Sequence, residues 1–329
     1  MSHKAIPDPG DGYCGTSYAA KLLNLSVGTV QTLVEKNELQ AWKTQGGHRR
    51  ISMPSIREYQ RKLNMPQTSG DAGQPQLKVL FNAGAGVDAL LRMRIPPSMA
   101  LVRLDDAGMA VQMAEYVVHA LTRHFREFQA YAQAQEASQW AFRKPHRRQD
   151  FPVGILGLGV LGARVAEIVR QFEYPVNGWS RTPKQIEGVS CFSGESGLSA
   201  FLAATRVLVC LLPLTPDTQD LLNRQTLSQL QPGAYVINVA RGAHLVDEDL
   251  LALLDEGHLA GATLDVFRAE PLPQAHAFWQ HPKITVTPHI SARTLRDESI
   301  AQIAQKISAL QRGEPLASLA GVVDPKKGY

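Results

Sequence analysis

Short, continuously apolar runs alternate with helical patterns along the second half of the chain. Strands of a parallel sheet are typically apolar throughout, because helices cover both faces of such a sheet. The alternation predicts a doubly wound α/β fold, and right-handed crossovers make a Rossmann domain its simplest form. The predicted strands cover residues 153–156, 176–179, 207–211, 235–239, 261–266 and 284–287.

Two further patterns precede this region. Residues 77–81 are a short apolar run, and a glycine-rich turn at 82–88 leads from it into a helix. Apolar positions then recur at helical spacing over residues 108–131. We therefore expect a strand–turn–helix segment, followed by one long helix.

The N-terminal part of the chain has a different pattern. Two short helical stretches, 16–23 and 27–35, flank a three-residue break in which Ser26 is a natural N-cap. A hairpin with a basic tip around Gly46-Gly47 follows, and then an amphipathic helix at 54–63. This order predicts a small winged helix-turn-helix domain over residues 1–64, joined by a Pro/Gly/Ser-rich linker at 65–76.

The distribution of charge separates the same two regions. Residues 1–65 contain nine Lys/Arg and five Asp/Glu, whereas the remaining residues contain 25 of each. All of the net charge of +4 therefore lies in the first fifth of the chain. Such asymmetry favours a nucleic-acid-binding module attached to a neutral body, and a solvated basic surface is the alternative.

Composition bears on the cellular location of the protein and on metal binding. No apolar run reaches the length of a membrane span, and residues 1–12 lack the apolar core of a signal peptide. The three cysteines have neither disulfide-framework nor zinc spacing, and no histidine pair has metal spacing. These features favour a reducing cytoplasm and no metal.

A glycine-rich turn lies between the predicted strand at 153–156 and a following helix. Its first glycine permits a tight turn, its second lets a pyrophosphate approach the backbone, and its third allows close helix–strand packing. The N-terminus of the helix then offers free N–H groups to phosphates. This is a dinucleotide-binding pattern, and a glycine turn that binds nothing is the alternative. The turn reads Gly157-Leu158-Gly159-Val160-Leu161-Gly162.

The choice of dinucleotide depends on the end of the second strand. NAD sites place an acidic residue there, about 20 residues after the glycines. This chain has Ser180, Arg181 and Thr182 instead, which donate hydrogen bonds and supply one positive charge. The position favours NADPH over NADH. In the alternative, Arg181 stacks on adenine or faces solvent.

Three polar residues follow predicted strands. Arg241, Glu270 and His289 come after the strands at 235–239, 261–266 and 284–287, respectively. Ligands of open α/β sheets bind beyond the carboxyl ends of the strands, so these residues are expected to share one crevice. Taken singly, they also fit a surface ion pair, a loop charge and a hydrogen-bonded loop histidine.

Residues 13–63 resemble the small winged helix-turn-helix domains of the MerR and excisionase type. The resemblance rests on AAKLLNLSVGTVQTLVEKNELQAWKTQGGHRRIS. It implies that the second helix enters a DNA major groove, with Thr29, Gln31 and Thr32 available to read bases, while Arg49 and Arg50 contact the DNA backbone or the minor groove. A degenerate wing that binds protein or nothing is the alternative.

Residues 77–329 resemble the D-isomer-specific 2-hydroxyacid dehydrogenases, and most of all their glyoxylate/hydroxypyruvate reductase A branch. The resemblance rests on NAGAGVD, GILGLGVLG, WSRT, LLPLTPDT, GAYVINVARGAHLVDEDLLALLDEGHLAGATLDVFRAEPLP and FWQHPKITVTPHIS. It implies reduction of a small 2-ketoacid by a nicotinamide cofactor, in a homodimer, and the residues after the second strand make NADPH the expected cofactor.

The resemblance also implies individual roles. His289 would protonate the keto oxygen, Glu270 would hydrogen-bond to His289, and Arg241 would hold the substrate carboxylate. The substrate loop would comprise Gly84, Ala85, Gly86 and Val87. Besides the glycine turn, the cofactor would contact Leu212, Pro213, Ala240 and Asp265. For Asp265, the alternative is a strand-end cap.

The chain departs from the family pattern at its N-terminus. Residues 1–76 stand where the family has strands and helices of its substrate-binding lobe. The full prediction is therefore an α/β, doubly wound parallel-sheet Rossmann domain (106–287) with a truncated substrate lobe (77–105 and 288–329) and a small N-terminal winged helix-turn-helix domain. Either a partner subunit completes the lobe or activity is low. The alternative functions are an NADP(H)-sensing transcription regulator and a gene fusion whose parts do not cooperate.

Overall fold

The computed structural model describes residues 12–23, 25–43, 49–63, 77–84, 86–91, 93, 95–96 and 98–324. The chain divides into two compact units, Met1–Gln76 and Leu77–Tyr329. The predicted linker at 65–76, the tip of the wing at 44–48 and Ala85 of the substrate loop lie outside the described residues.

The first unit is a helix-turn-helix with a small antiparallel sheet. Its two helices begin and end as the sequence predicts, and Ser26 caps the second by accepting a 3.0 Å hydrogen bond from the Thr29 N–H. The central strand of the sheet pairs with both others, and the outer strand at Tyr13 was not predicted. The elements are β1 (Tyr13–Gly15), α1 (Thr16–Leu23), α2 (Val27–Glu35), β2 (Ala41–Lys43), β3 (Arg49–Ser52) and α3 (Met53–Leu63).

The second unit contains a seven-stranded sheet and a two-stranded sheet. Its elements, in chain order, are β4 (Val79–Asn82), α4 (Asp88–Leu91), β5 (Ala100–Arg103), α5 (Met109–Phe125), α6 (Phe128–Glu136), β6 (Val153–Leu156), α7 (Val160–Gln171), β7 (Val176–Ser180), β8 (Ser190–Ser193), α8 (Gly194–Ala203), β9 (Val207–Cys210), α9 (Arg224–Leu227), β10 (Ala234–Asn238), α10 (Asp247–Asp255), β11 (Leu259–Leu264), β12 (Ile284–Val286) and α11 (Arg296–Gln311).

The large sheet is parallel throughout, in the order β12-β11-β10-β9-β6-β7-β8. Alternate residues of its strands enter two separate cores. Val207 and Val209 of β9 pack in one core beneath α5 and α7, and Leu208 and Cys210 pack in the other beneath α8 and α10. Because both faces are covered, the predicted doubly wound α/β fold is confirmed.

The helix predicted over 108–131 is in fact two helices. α5 ends at Phe125, and Glu127 adopts a left-handed backbone with φ of 54° before α6 begins. Glu127 accepts hydrogen bonds of 2.6 and 2.7 Å from Arg143, a residue well beyond the helical pattern. The side chains of α6 are exposed or half-buried, so packing does not hold this segment in line with α5.

The two-stranded sheet forms a smaller lobe. β4 and β5 are parallel, and the C-terminal segment adds an antiparallel bridge between Val102 and Val322. The buried core of this lobe consists of Val87, Leu101 and Val323, and it is much smaller than either core of the large sheet. No helix in the described part of the chain is both long and apolar enough to cross a membrane.

Candidate active site

The three polar residues predicted at strand ends follow three neighbouring strands. Arg241 follows β10, Glu270 follows β11 and His289 follows β12, and β11 pairs with both of the others. Because these strands are parallel, their carboxyl ends lie along one edge of the sheet. The fold thus brings all three residues to the edge at which open α/β sheets bind ligands.

His289 and Glu270 are in direct contact. His289 Nδ1 lies 2.8 Å from Glu270 Oε2, and both side chains are partly exposed. The other carboxylate oxygen, Glu270 Oε1, accepts a 2.9 Å hydrogen bond from the Phe267 N–H. The backbone therefore fixes the carboxylate, the carboxylate orients the imidazole, and His289 Nε2 is directed away from Glu270.

The backbone of His289 is in the left-handed region, with φ of 55°. Its N–H donates to the carbonyl of Asp265 at 2.8 Å. The buried Asp265 carboxylate accepts hydrogen bonds from Thr287 Oγ1 at 2.5 Å, Ile290 N at 2.9 Å and Ser291 N at 2.8 Å. Asp265 thus anchors the loop that carries His289. This arrangement favours the strand-end cap over the cofactor contact that the sequence left as the other possibility.

Arg241 is held through both its side chain and its backbone. Its Nε donates to Asp88 Oδ1 at 3.1 Å, and its Nη1 donates to the carbonyl of Ala240 at 2.7 Å. The carbonyl of Arg241 accepts a 3.1 Å hydrogen bond from Asn238 Nδ2 and lies 3.0 Å from His244 Nδ1. Burial lowers the pKa of His244, which keeps this internal imidazole neutral.

Gly86 of the substrate loop lies directly against Arg241. A Cβ atom placed on Gly86 would stand 1.5 Å from Arg241 Nη2, so any side chain at this position would displace the guanidinium. Asn82 shapes the loop, because its Nδ2 donates to the carbonyls of Gly84 at 2.8 Å and Gly86 at 2.9 Å. Val87 is buried in the core of the smaller lobe.

The glycine turn has the form of a phosphate cradle. Gly157 has φ of 112°, and a Cβ there would lie 2.8 Å from the carbonyl oxygen of Leu211. A Cβ on Gly162 would lie 1.8 Å from the carbonyl oxygen of Gly157, whereas a Cβ on Gly159 would meet nothing within 4 Å. Two glycines are thus required by packing, and the third borders open space at the N-terminus of α7. The residues fit a dinucleotide.

The other predicted cofactor residues differ in exposure. Leu158, Leu212 and Ala240 are buried in the core, so they can offer a ligand only their backbone. Val160 is half exposed, Leu161 is partly buried against one core, and Pro213 is exposed. At the end of β7, Ser180 Oγ donates to the carbonyl of Thr182 at 2.8 Å, while Arg181 and Thr182 are exposed.

The predicted DNA-contacting residues of the first unit also differ from one another. Thr29 Oγ1 lies 2.7 Å from Ser26 Oγ, and Thr32 Oγ1 donates to the carbonyl of Gly28 at 3.1 Å, so both hydroxyls serve the helix itself. Gln31 is exposed. Arg49 pairs with Glu35 of α2 at 2.8 Å, whereas Arg50 is exposed opposite Gly15 and Trp42.

Three contributors to the site were not predicted. Asp88 and Asn82 stand inside the NAGAGVD segment, which could have signalled them, and His244 stands in ARGAHLVD. The sequence shows that these residues are near the site but not what they contact, because their partners lie far away in the chain.

Comparisons with known proteins identify the families to which the two units are similar. The family model described as D-isomer specific 2-hydroxyacid dehydrogenase, NAD binding domain, matches residues 117–291, and one described as helix-turn-helix domain matches residues 13–64. The chain therefore belongs to the D-isomer-specific 2-hydroxyacid dehydrogenases, a family of NAD(P)-dependent enzymes, and carries a helix-turn-helix domain at its N-terminus.

Curated relatives are more specific. Glyoxylate/hydroxypyruvate reductase A of Serratia proteamaculans (strain 568) is 49% identical over 264 residues, covering 78% of this chain and 83% of that protein. The protein of the same name from Yersinia enterocolitica serotype O:8 / biotype 1B is 43% identical over 308 residues, covering 89% of this chain and 97% of that protein.

Solved structures agree with this placement. The D-isomer specific 2-hydroxyacid dehydrogenase from Xanthobacter autotrophicus Py2, in complex with NADPH and MES, gives a TM-score of 0.74 at 42% identity over 78% of this chain and 80% of that chain. The NADPH-dependent glyoxylate/hydroxypyruvate reductase from Sinorhizobium meliloti, in complex with NADP and sulfate, gives 0.73 at 38% identity over 78% and 81%.

Proposed function

We propose that the second unit reduces glyoxylate or hydroxypyruvate to the 2-hydroxyacid with NADPH. The observation that carries this proposal is the 2.8 Å contact between His289 and Glu270 at the sheet edge that also holds Arg241. The same sheet edge thus holds a proton donor (His289), the carboxylate that orients it (Glu270) and a cation for the substrate carboxylate (Arg241). The names of the reductase relatives support the same substrates.

The chain's own residues would act in three ways. Arg241 and the N–H groups of the substrate loop bind the ketoacid carboxylate and so orient its carbonyl. His289 Nε2 gives a proton to the carbonyl oxygen, and the Glu270 carboxylate stabilises the imidazolium before that transfer. The nicotinamide, when bound, supplies the hydride that the carbonyl carbon accepts. After the reaction His289 is neutral and takes a proton from solvent.

NADPH is the proposed cofactor because of the residues that end β7. Arg181 and Thr182 are exposed directly after the strand, and neither is a carboxylate that would repel a 2′-phosphate. Gly157, Gly159 and Gly162 would hold the pyrophosphate. The solved relatives in complex with NADPH or NADP support this choice.

We also propose that the first unit binds DNA through α2, with Arg50 contacting the phosphates. The family match to a helix-turn-helix domain and the exposure of Gln31 and Arg50 support this role. A second candidate function, an NADP(H)-sensing regulator with weak activity, is favoured by the small core of the lobe that carries the substrate loop.

One set of assays separates the two functions. Purified protein is given NADPH or NADH with glyoxylate or hydroxypyruvate, and nicotinamide absorbance is followed. The proposal expects turnover with both ketoacids and a preference for NADPH. Absent turnover, together with DNA binding that changes when NADPH is added, would favour the regulator.

A further inference from the structure

The guanidinium of Arg241 has a carboxylate partner that the reaction scheme does not use. Asp88 opens α4 directly after the substrate loop, in the smaller lobe, whereas Arg241 follows β10 of the large sheet. Their 3.1 Å contact joins residues 153 positions apart. Both side chains are mostly buried, with exposures of 32% for Arg241 and 24% for Asp88, so solvent screens the pair less than it would a surface pair.

The three nitrogens of the guanidinium face three different groups. Nε donates to Asp88, and Nη1 donates to the carbonyl of Ala240 at 2.7 Å. Nη2 faces Gly86, where a Cβ atom would come within 1.5 Å of it. The first two contacts fix the plane of the guanidinium. In that plane Nη2 lies beside Gly86, where a substrate carboxylate would bind.

We propose that Asp88 is a positioning residue: it orients Arg241 so that Nη2, beside Gly86, holds the ketoacid carboxylate. This inference rests on the proposed function of the site. Without Asp88, the side chain would lose the contact at Nε but keep the bond to Ala240, and it could rotate about the axis of that bond. The carboxylate would then lose one edge of its clamp, while the cofactor cradle beyond β6 would be unchanged.

Two variants separate orientation from charge. Asp88→Ala removes the acceptor for Arg241 Nε, whereas Asp88→Asn keeps an oxygen in the same place and removes the negative charge. Loss of a charge-assisted hydrogen bond predicts that Asp88→Ala raises KM for glyoxylate by about tenfold to a hundredfold. Asp88→Asn should stay within about threefold of wild type, because its amide oxygen still accepts from Nε.

The test measures ketoacid KM, kcat, the dissociation constant of NADPH and that of oxamate, a monoanionic analogue that binds without reacting. For Asp88→Ala the inference expects the KM and oxamate values to rise together, with NADPH binding unchanged. Glu115→Ala, at an exposed acid of α5, is the matched control and should change none of them.

Other outcomes would overturn the inference. Unchanged oxamate binding in Asp88→Ala would show that Asp88 does not orient the clamp. Equal losses of oxamate and NADPH binding in Asp88→Ala and Asp88→Asn, with lower melting temperatures, would assign Asp88 a purely structural role. A wild-type complex with NADPH that binds no oxamate would also overturn it. If the wild type binds oxamate without turnover, only the proposed function fails, because the oxamate comparison still tests Asp88.

Discussion

Gly159 and Gly162 stand three residues apart, yet an added methyl group should affect them in opposite ways. At Gly159 an alanine Cβ would meet nothing within 4 Å, and the backbone φ of −71° suits any residue. At Gly162 it would lie 1.8 Å from the carbonyl oxygen of Gly157. We therefore predict that Gly159→Ala leaves the fold intact and weakens NADPH binding, whereas Gly162→Ala destabilises the fold.

The magnitudes follow from the same contacts. At Gly162 the clash requires a backbone shift of more than an ångström, and such overpacking costs about 1–3 kcal/mol. For a domain of this size that is a fall in melting temperature of roughly 2–4 °C per kcal/mol. At Gly159 the methyl group would occupy the space of a phosphate, and losing one charge-assisted hydrogen bond weakens binding by about tenfold to a hundredfold.

The assay pairs thermal unfolding with NADPH titration for each variant. Gly197→Ala in α8 is the matched control, because a Cβ there would make only ordinary contacts of 3.6 Å or more. Helix propensity predicts that this control is neutral or slightly stabilising. If Gly159→Ala bound NADPH as tightly as the wild type, the glycine turn would not be the cofactor cradle. If Gly162→Ala kept the wild-type melting temperature, the packing argument would be wrong.

Three further predictions concern other parts of the molecule. Burial is the main cause, and the charge of Arg206 a lesser one, that lowers the pKa of His124 from 6.5 to about 4. Between these two pH values the native state binds fewer protons than the unfolded chain. The free energy of unfolding should therefore rise with pH across this range, by up to about 3 kcal/mol. Denaturant titrations should show a flatter rise in His124→Phe and an unchanged one in His119→Gln, and equal slopes would contradict the burial argument. Glu270→Gln should lower kcat about a hundredfold, because the charge that stabilises the His289 imidazolium is lost, and it should have little effect on the dissociation constant of NADPH. A wild-type kcat in this variant would refute the role of Glu270. Arg50→Ala should weaken DNA binding, measured by fluorescence anisotropy against salt, and reduce the salt slope by about one, whereas an unchanged slope would remove Arg50 from the phosphate contacts.

Local signals predicted the elements of the fold well. Strand β6 has the predicted bounds because its buried run is set apart by flanking turns, and α2 begins where Ser26 can cap it. The strands at Ala100–Arg103 and Ser190–Ser193 were missed, since each is only four residues long and the second is also partly exposed and polar. The break at Glu127 was also missed, because its ion pair with Arg143 joins residues that the helical pattern cannot relate.

The sequence also predicted only the part of the site that local signals reveal. Strand ends are visible in the sequence, so the positions of Arg241, Glu270 and His289 at one sheet edge could be expected. Contacts between distant segments could not, and the pairing of Asp88 with Arg241 across 153 residues appears only in three dimensions. The anchoring of the His289 loop by Asp265 is likewise a product of the fold.

The proposed mechanism depends on His289, oriented by Glu270, as the proton donor of a ketoacid reductase. The most direct test is the single-turnover rate of glyoxylate reduction by His289→Ala already loaded with NADPH, with oxamate binding measured on the same sample. We expect NADPH and oxamate still to bind while the rate falls by at least about a hundredfold. A variant that binds both ligands and reduces glyoxylate at the wild-type rate would contradict it.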